Sequence, residues 1–194
     1  MLFRAQTYSV LMVSNLEKLN TSMTQLLPGS EYGPVTVLRS VGAARRRVME
    51  QEFDLIVINA PLPDEFGLQF ALDLCTQTQA GVLLTVRQER YEDLYDRAVS
   101  GGVVLLPRPT SVGVVSQHFS TLCSIRERLR QGERREQAVE EKVQEIRLVN
   151  RAKWLLIQKG MREEEAHRYL PRQAMDRRCP KAEVARALLE QAEQ

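Results

Sequence analysis

The residues of this sequence best placed to do chemistry are cations and one aromatic, and they crowd into a single stretch. Arg147, Arg151, Lys153, Lys159, Arg162, Arg168, Arg172, Arg177, Arg178 and Lys181 are opposed there only by Glu163, Glu164, Glu165 and Asp176. The chain as a whole carries a formal charge of only +2, so acids elsewhere mask this excess. Clustered Lys and Arg suit a polyanion, because they gain by displacing the counterions of a phosphate backbone. On a helix, Arg147, Arg151, Trp154 and Gln158 share one stripe. A tryptophan beside two arginines can stack a nucleobase, worth about 1 to 3 kcal/mol per base. The alternative is that Trp154 packs against a partner helix or against a third helix of its own module.

Metal and disulfide chemistry have little support. Cys75, Cys123 and Cys179 lack metal-type spacing, and an odd number suits a reducing compartment better than a disulfide framework. His118 and His167 lie far apart, each without a paired Cys or His. No metal and no cofactor is expected. No stretch approaches the roughly 20 apolar residues that span a bilayer, and the first residues lead into a strand pattern rather than a secretory core. A cytoplasmic protein is expected.

The elements that must position these groups divide the 194 residues into unequal parts. From residue 8 to about 110, the runs YSVLMV, PVTVL, FDLIVI, GVLLTV and GVVLL alternate with helical stretches such as the one carrying Leu16, Leu19, Met23 and Leu26. Five apolar strands imply a parallel sheet with helices on both faces. Functional groups of such sheets gather at the carboxyl ends of the strands. After Pro109 the apolar residues thread into a heptad. Val115, Leu122, Leu129, Val143 and Asn150 hold one position, and Ile125, Val139 and Ile146 the other. The favoured reading is a seam pairing two parallel chains, weak or hinged where Gly132, Glu133 and Glu136 interrupt it. In the alternative, the first half of this helix packs on the sheet and the second half joins the terminal bundle. Beyond it, helices are expected up to Gly160, from Arg162 to Arg178 with a kink at Pro171, and from Pro180 to about Gln191. Their apolar faces are Leu148, Ala152, Leu155, Leu156, Ala166, Leu170, Ala174, Val184 and Leu188.

The first part resembles the receiver domains of bacterial response regulators, a flavodoxin-like α/β fold. FDLIVINAPLPDEFGLQFA is similar to the third receiver strand and its loop, with Pro63, Asp64 and Gly67 in place. The resemblance puts Asn59 at the position of the phosphorylated aspartate, and an amide cannot form an acyl phosphate. The acidic pair that holds Mg²⁺ in the family falls on Ser14 and Asn15, neutral groups poorly suited to a hard dication. The family's lysine becomes Arg108, Thr85 is kept, and Leu105 stands where an aromatic switch residue is common. The resemblance implies a pseudo-receiver, with a degenerate phosphorylation site at Asn59, Ser14, Asn15, Thr85 and Arg108. Each of Thr85 and Arg108 also has a plain reading, as a strand-end hydroxyl and a solvated charge.

The last part, LVNRAKWLLIQKGMREEEAHRYLPRQAMDRRCPKAEVARALLEQ, resembles the ANTAR domain of transcription antitermination regulators of the AmiR/NasR type. The matching pieces are Ala152 and Lys153, Leu155 to Ile157, Glu163 to Ala166, and Ala174 to Arg178, with Asn150 and Trp154 as departures. The expected division is a pseudo-receiver over 1–111, a coiled-coil dimerisation helix over 112–141, and an all-α three-helix ANTAR module over 142–194. The resemblance implies binding, not catalysis: RNA hairpin loops of a leader transcript, contacted by Lys153, Arg177 and Arg178, with Arg147, Arg151, Arg172, Lys181 and Trp154 beside them. The heptad seam gives an expected homodimer through Leu122, Ile125, Leu129, Val139, Val143 and Ile146, and the lost phosphorylation chemistry leaves control to a sensor protein or small ligand at the pseudo-receiver. Two other classes stay open, a DNA-binding regulator and a purely protein-interacting one.

Overall fold

Five short runs rich in Val, Leu and Ile become one parallel sheet in a computed structural model that describes residues 7–192. They are β1 (Tyr8–Val13), β2 (Tyr32–Leu38), β3 (Leu55–Asn59), β4 (Gly81–Arg87) and β5 (Val104–Arg108), ordered β2-β1-β3-β4-β5. Between them run α1 (Glu17–Gln25), α2 (Val41–Glu50), α3 (Leu68–Gln77) and α4 (Tyr91–Ser100), and α5 (Val112–Gln158) follows the last strand. Side chains alternate across a strand, and here both faces are apolar. Leu11, Val13, Ile56, Ile58 and Leu84 enter one core with Val41, Phe70, Leu74 and Leu94 of α2, α3 and α4. Val10, Met12, Leu55, Val57 and Leu83 enter the other with Met23 of α1 and Val115, Phe119 and Leu122 of α5.

This second core corrects one expectation. The heptad reading puts Leu122 in a seam between chains, but the structure buries it completely against the sheet. A bare apolar face over β3, β4 and β5 needs cover, and the first turns of α5 supply it. The helix approaches so closely that a Cβ at Gly81 would lie 3.1 Å from the Leu122 carbonyl oxygen. Ile125 and Leu129 are partly buried.

Asp54, just before β3, fastens the next turns of α5. Its Oδ2 accepts from the Ser9 backbone N–H (2.9 Å), and its Oδ1 accepts from Arg126 Nε (3.2 Å) and Arg130 Nη2 (2.5 Å). Burial alone would raise the pKa of this carboxyl. The Ser9 and Arg126 hydrogen bonds and the Arg130 charge outweigh it and hold the value below the usual range.

The chain forms two compact units, one ending at Gln131 and the other beginning at Gly132, although α5 runs unbroken through both positions. The second unit contains the rest of α5, α6 (Glu163–Arg177) and α7 (Lys181–Glu190). Its small core is built from Ala152, Leu156, Ala166, Leu170, Ala174, Val184 and Ala185. Four alanines among these let the helices approach closely. Gly160, at φ +96°, ends α5: Met161 N–H donates to Leu156 O and Gly160 N–H to Ile157 O, the pattern of a Schellman stop. Three glutamates open α6, where the positive end of the helix dipole favours them. The helix continues through Pro171 to Arg177 without interruption, and Pro180 caps the start of α7. Among the described residues, no helix is long and apolar enough to cross a membrane.

Candidate nucleic-acid interface and the degenerate strand-end site

At the carboxyl ends of the strands, Ser14, Asn59 and Thr85 are almost wholly buried. Asn59 Nδ2 donates to Ser14 Oγ (3.2 Å), and Asn59 Oδ1 accepts from Thr85 Oγ1 (3.0 Å). Both ends of the amide are therefore used, and the side chain bridges β1, β3 and β4 as a neutral tie. A carboxylate nucleophile is what acyl-phosphate formation needs, and the position offers none. Asn15 is exposed to solvent. Asp64, in the loop after β3, points elsewhere: it accepts from the N–H groups of Val41 (3.0 Å) and Gly42 (2.8 Å) at the start of α2. Those two donors hold its pKa below the usual carboxylate range. Arg108 is half-buried and donates through Nη2 to the Ala60 carbonyl, so it is held by the loop after β3 rather than lying free in solvent. Leu105 is buried in the core shared with α2, α3 and α4.

In the second unit some cations are ion-paired, Lys142 with Glu145 among them, and others are not. Arg162 and Arg168 are neutralised on their own helix by Glu165 (2.7 Å) and Glu164 (3.8 Å). Arg147, Arg151, Arg172, Arg177, Arg178 and Lys181 are exposed, and none has an ion-pair partner among the described residues. Lys153 is partly buried, with Nζ 3.3 Å from His167 Nδ1, which joins α5 to α6. Arg177 and Arg178 end α6, and Lys181 opens α7. Arg178 is the one non-glycine residue with positive φ among those described, at +53°. Cys179 N–H donates to Ala174 O and Arg178 N–H to Met175 O, a helix stop that ordinarily takes glycine.

Trp154 is 66% exposed, which removes the reading in which it packs on the third helix of its own module. At 100° per residue it lies on the side of α5 that carries Val139, Val143, Ile146 and Asn150, away from Ala152 and Leu156 in the core. Val139, Val143 and Ile146 are exposed as well. Sequence reasoning overlooked Asp54, Arg87 and the pairing of His167 with Lys153. For Arg87 a signal existed, since it follows Thr85 by two residues in one strand and so shares its face.

The model of the ANTAR domain matches residues 137–189, over the part of α5 in the second unit and most of α6 and α7. The chain is also 31% identical over 140 residues to the transcriptional regulatory protein PdtaR of Mycobacterium tuberculosis, covering 71% of this chain and 67% of that protein. The chain belongs to the ANTAR-domain regulators. The sheet unit of this ANTAR regulator has the receiver fold. It matches the signal receiver domain of an HD domain-containing protein from Pseudomonas fluorescens Pf-5 with a TM-score of 0.58 at 19% identity, over 68% of this chain and 96% of that one. It also matches the non-phosphorylated HemR receiver domain from Leptospira biflexa with a TM-score of 0.53 at 20% identity, over 60% and 94%.

Proposed function

We propose that this ANTAR regulator binds RNA and acts in transcription antitermination, by holding paired hairpin loops of a leader transcript in the form that lets elongation continue. The reading rests on one observation above all: ten exposed cations of the terminal unit have no carboxylate partner among the described residues, Arg134, Arg135, Lys159 and Arg186 besides the six named above, whereas Lys142, Arg162 and Arg168 in the same unit have one. Unpaired surface cations are free to take phosphates, and exposed Trp154 adds a flat surface for a splayed loop base. Lys153, Arg177 and Arg178 are assigned the loop contacts, and Arg147, Arg151, Arg172 and Lys181 the flanking phosphates.

The functional division is 1–111, 112–141 and 142–194, with a homodimer formed along α5. Val139, Val143 and Ile146 carry the seam, since Leu122 belongs to the sheet core and Ile125 and Leu129 are partly buried. Control comes from a sensor protein or small ligand at the pseudo-receiver, because Asn59 cannot carry a phosphate. The protein works by binding, in the cytoplasm, and catalyses nothing.

Binding of the full chain to tandem-hairpin RNA, matched duplex DNA and unstructured RNA across a salt titration tests this. Tight binding to the hairpin RNA alone, weakening as salt rises, is the expected result. Equal affinity for all three overturns the hairpin reading. Preference for duplex DNA favours a DNA-binding regulator, and no binding to any of them a protein-interaction role.

A further inference from the structure

A cleft of about 470 Å³ opens beside the degenerate strand-end site, wholly within the sheet unit. Small-molecule pockets generally fall between about 300 and 1,000 Å³. Its walls are of two kinds. Leu19 and Met23 of α1, Leu106 of β5 and Val115 of α5 make an apolar side. Arg87, Arg108, Thr85 and Thr110 make the other, and among the described residues no acidic side chain lines the cleft.

The arginines are neighbours by construction. β4 and β5 pair in parallel with Thr85 opposite Leu106 and Arg87 opposite Arg108. Like charges held side by side on adjacent strands are unfavourable unless something compensates them. Among the described residues neither arginine has an ion-pair partner to do so. Arg108 Nε is buried with no hydrogen-bond acceptor, although Nη2 of the same group is satisfied by the Ala60 carbonyl. A buried guanidinium N–H without an acceptor is costly, and an anion would satisfy it. Burial and the nearby charge of Arg87 also lower the Arg108 pKa, the direction expected of a cation without a counter-charge. The first turn of α5 begins at Val112, and its Val115 lines the cleft, so a helix N-terminus adds to the positive character of this end.

We propose that this cleft is a binding site for a small amphipathic anion, a phosphate or carboxylate joined to a short apolar body. Arg87 and Arg108 clamp the anion while Leu19, Met23, Leu106 and Val115 cover the apolar part. The site deepens the proposed control of the pseudo-receiver by giving it a place and a ligand class. It stands on its own geometry, so a failed RNA assay and a failed ligand titration are separate outcomes.

The test is an amide NMR titration of the full-length protein with four probes: phenyl phosphate, benzoate, benzyl alcohol and inorganic phosphate. Saturable shifts confined to the lining of the cleft, at Thr85, Leu106, Thr110 and Val115, are expected with phenyl phosphate or benzoate, and which of the two binds tighter tells phosphate from carboxylate. Arg87→Gln, at an exposed position, should weaken that binding roughly tenfold, as for loss of one hydrogen bond to a charged group, with the rest of the spectrum unchanged. Arg108→Lys keeps a charge but not the fork, and should weaken it too. The proposal is overturned if neither organic anion gives saturable shifts at millimolar concentration, or if Arg87→Gln leaves their affinity unchanged. Equal binding of benzyl alcohol would remove the anion from the recognition, and equal binding of inorganic phosphate would remove the apolar wall; either result also sinks it.

Discussion

The Thr85 hydroxyl donates to the Asn59 amide oxygen at 3.0 Å, in a place where both side chains are almost completely buried. The contact converts what would be a reaction centre into a structural tie, since the other end of the amide is spent on Ser14. Asn59→Asp should therefore not restore phosphorylation. It would set a carboxylate where Ser14 and Asn15 provide no anionic ligands for Mg²⁺. It should also destabilise the sheet unit by roughly 1 to 3 kcal/mol at neutral pH, the cost of a poorly compensated buried group. Intact-mass measurement after treatment with acetyl phosphate and Mg²⁺ checks the chemistry, and a phosphoryl adduct on the variant would refute the argument.

Asp54 predicts a pH dependence. Its carboxyl is held below the ordinary value by Ser9, Arg126 and Arg130, so the folded pKa is lower than the unfolded one of about 4. The stabilisation is full above the unfolded value and is lost as pH falls through the folded one. Asp54→Asn should cost roughly 1.5 to 3 kcal/mol at pH 7, because two largely buried arginines lose a charged acceptor, while Arg130 keeps Glu127 at 2.9 Å. Urea denaturation at a series of pH values should show the gap between variant and wild type closing in acid. A constant gap down to pH 2 would place the pH dependence elsewhere.

Arg178 stands in a conformation that costs an L-residue roughly 1 to 2 kcal/mol and glycine almost nothing. Arg178→Gly should therefore raise the unfolding free energy by up to about 1 kcal/mol, after the added freedom of the unfolded chain is counted. It should weaken hairpin-RNA binding in the same sample. A stabilised variant that binds RNA at full strength would take Arg178 out of the interface.

Trp154 is the only tryptophan, so its fluorescence reports on one exposed side of α5. Hairpin RNA should quench or shift its emission, and Trp154→Ala should weaken binding about tenfold or more, as for loss of one stacked base, without lowering the denaturation midpoint. If the emission shifts with protein concentration alone and RNA leaves it unchanged, the tryptophan faces a second chain rather than a base.

Val143 and Ile146 are exposed in the single chain and should be covered in a dimer. Val143→Glu combined with Ile146→Glu should give a folded monomer by sedimentation velocity, its helical circular dichroism signal kept. A dimer that survives both changes would put the pairing surface elsewhere.

The sheet was legible because its strands are apolar on both faces, a pattern with few alternative folds, and Gly160 and Pro180 punctuated the terminal helices as expected. Leu122 was misread for a physical reason. A heptad position and a sheet-facing position both demand an apolar residue every three or four places, so periodicity does not tell which surface α5 covers. The clasp of Asp54 on Arg126 and Arg130 was hidden because it joins residues more than seventy positions apart, between two segments whose local patterns give no sign of each other. The exposure of Trp154 depended on helical phase relative to Ala152 and Leu156, which became fixed only once the core was assembled.

The sheet unit uses α5 as far as Arg130, and the terminal unit takes up the same helix two residues later with no loop between. The backbone that passes from one unit to the other is thus helical on both sides of the boundary. A recombination that replaced the terminal unit would have to splice one helix onto another, keeping each N–H on the carbonyl four residues back. Successful chimaeras should accordingly favour donors whose output also begins on a helix, and an insertion at the splice would be felt as a change of helical phase rather than as slack.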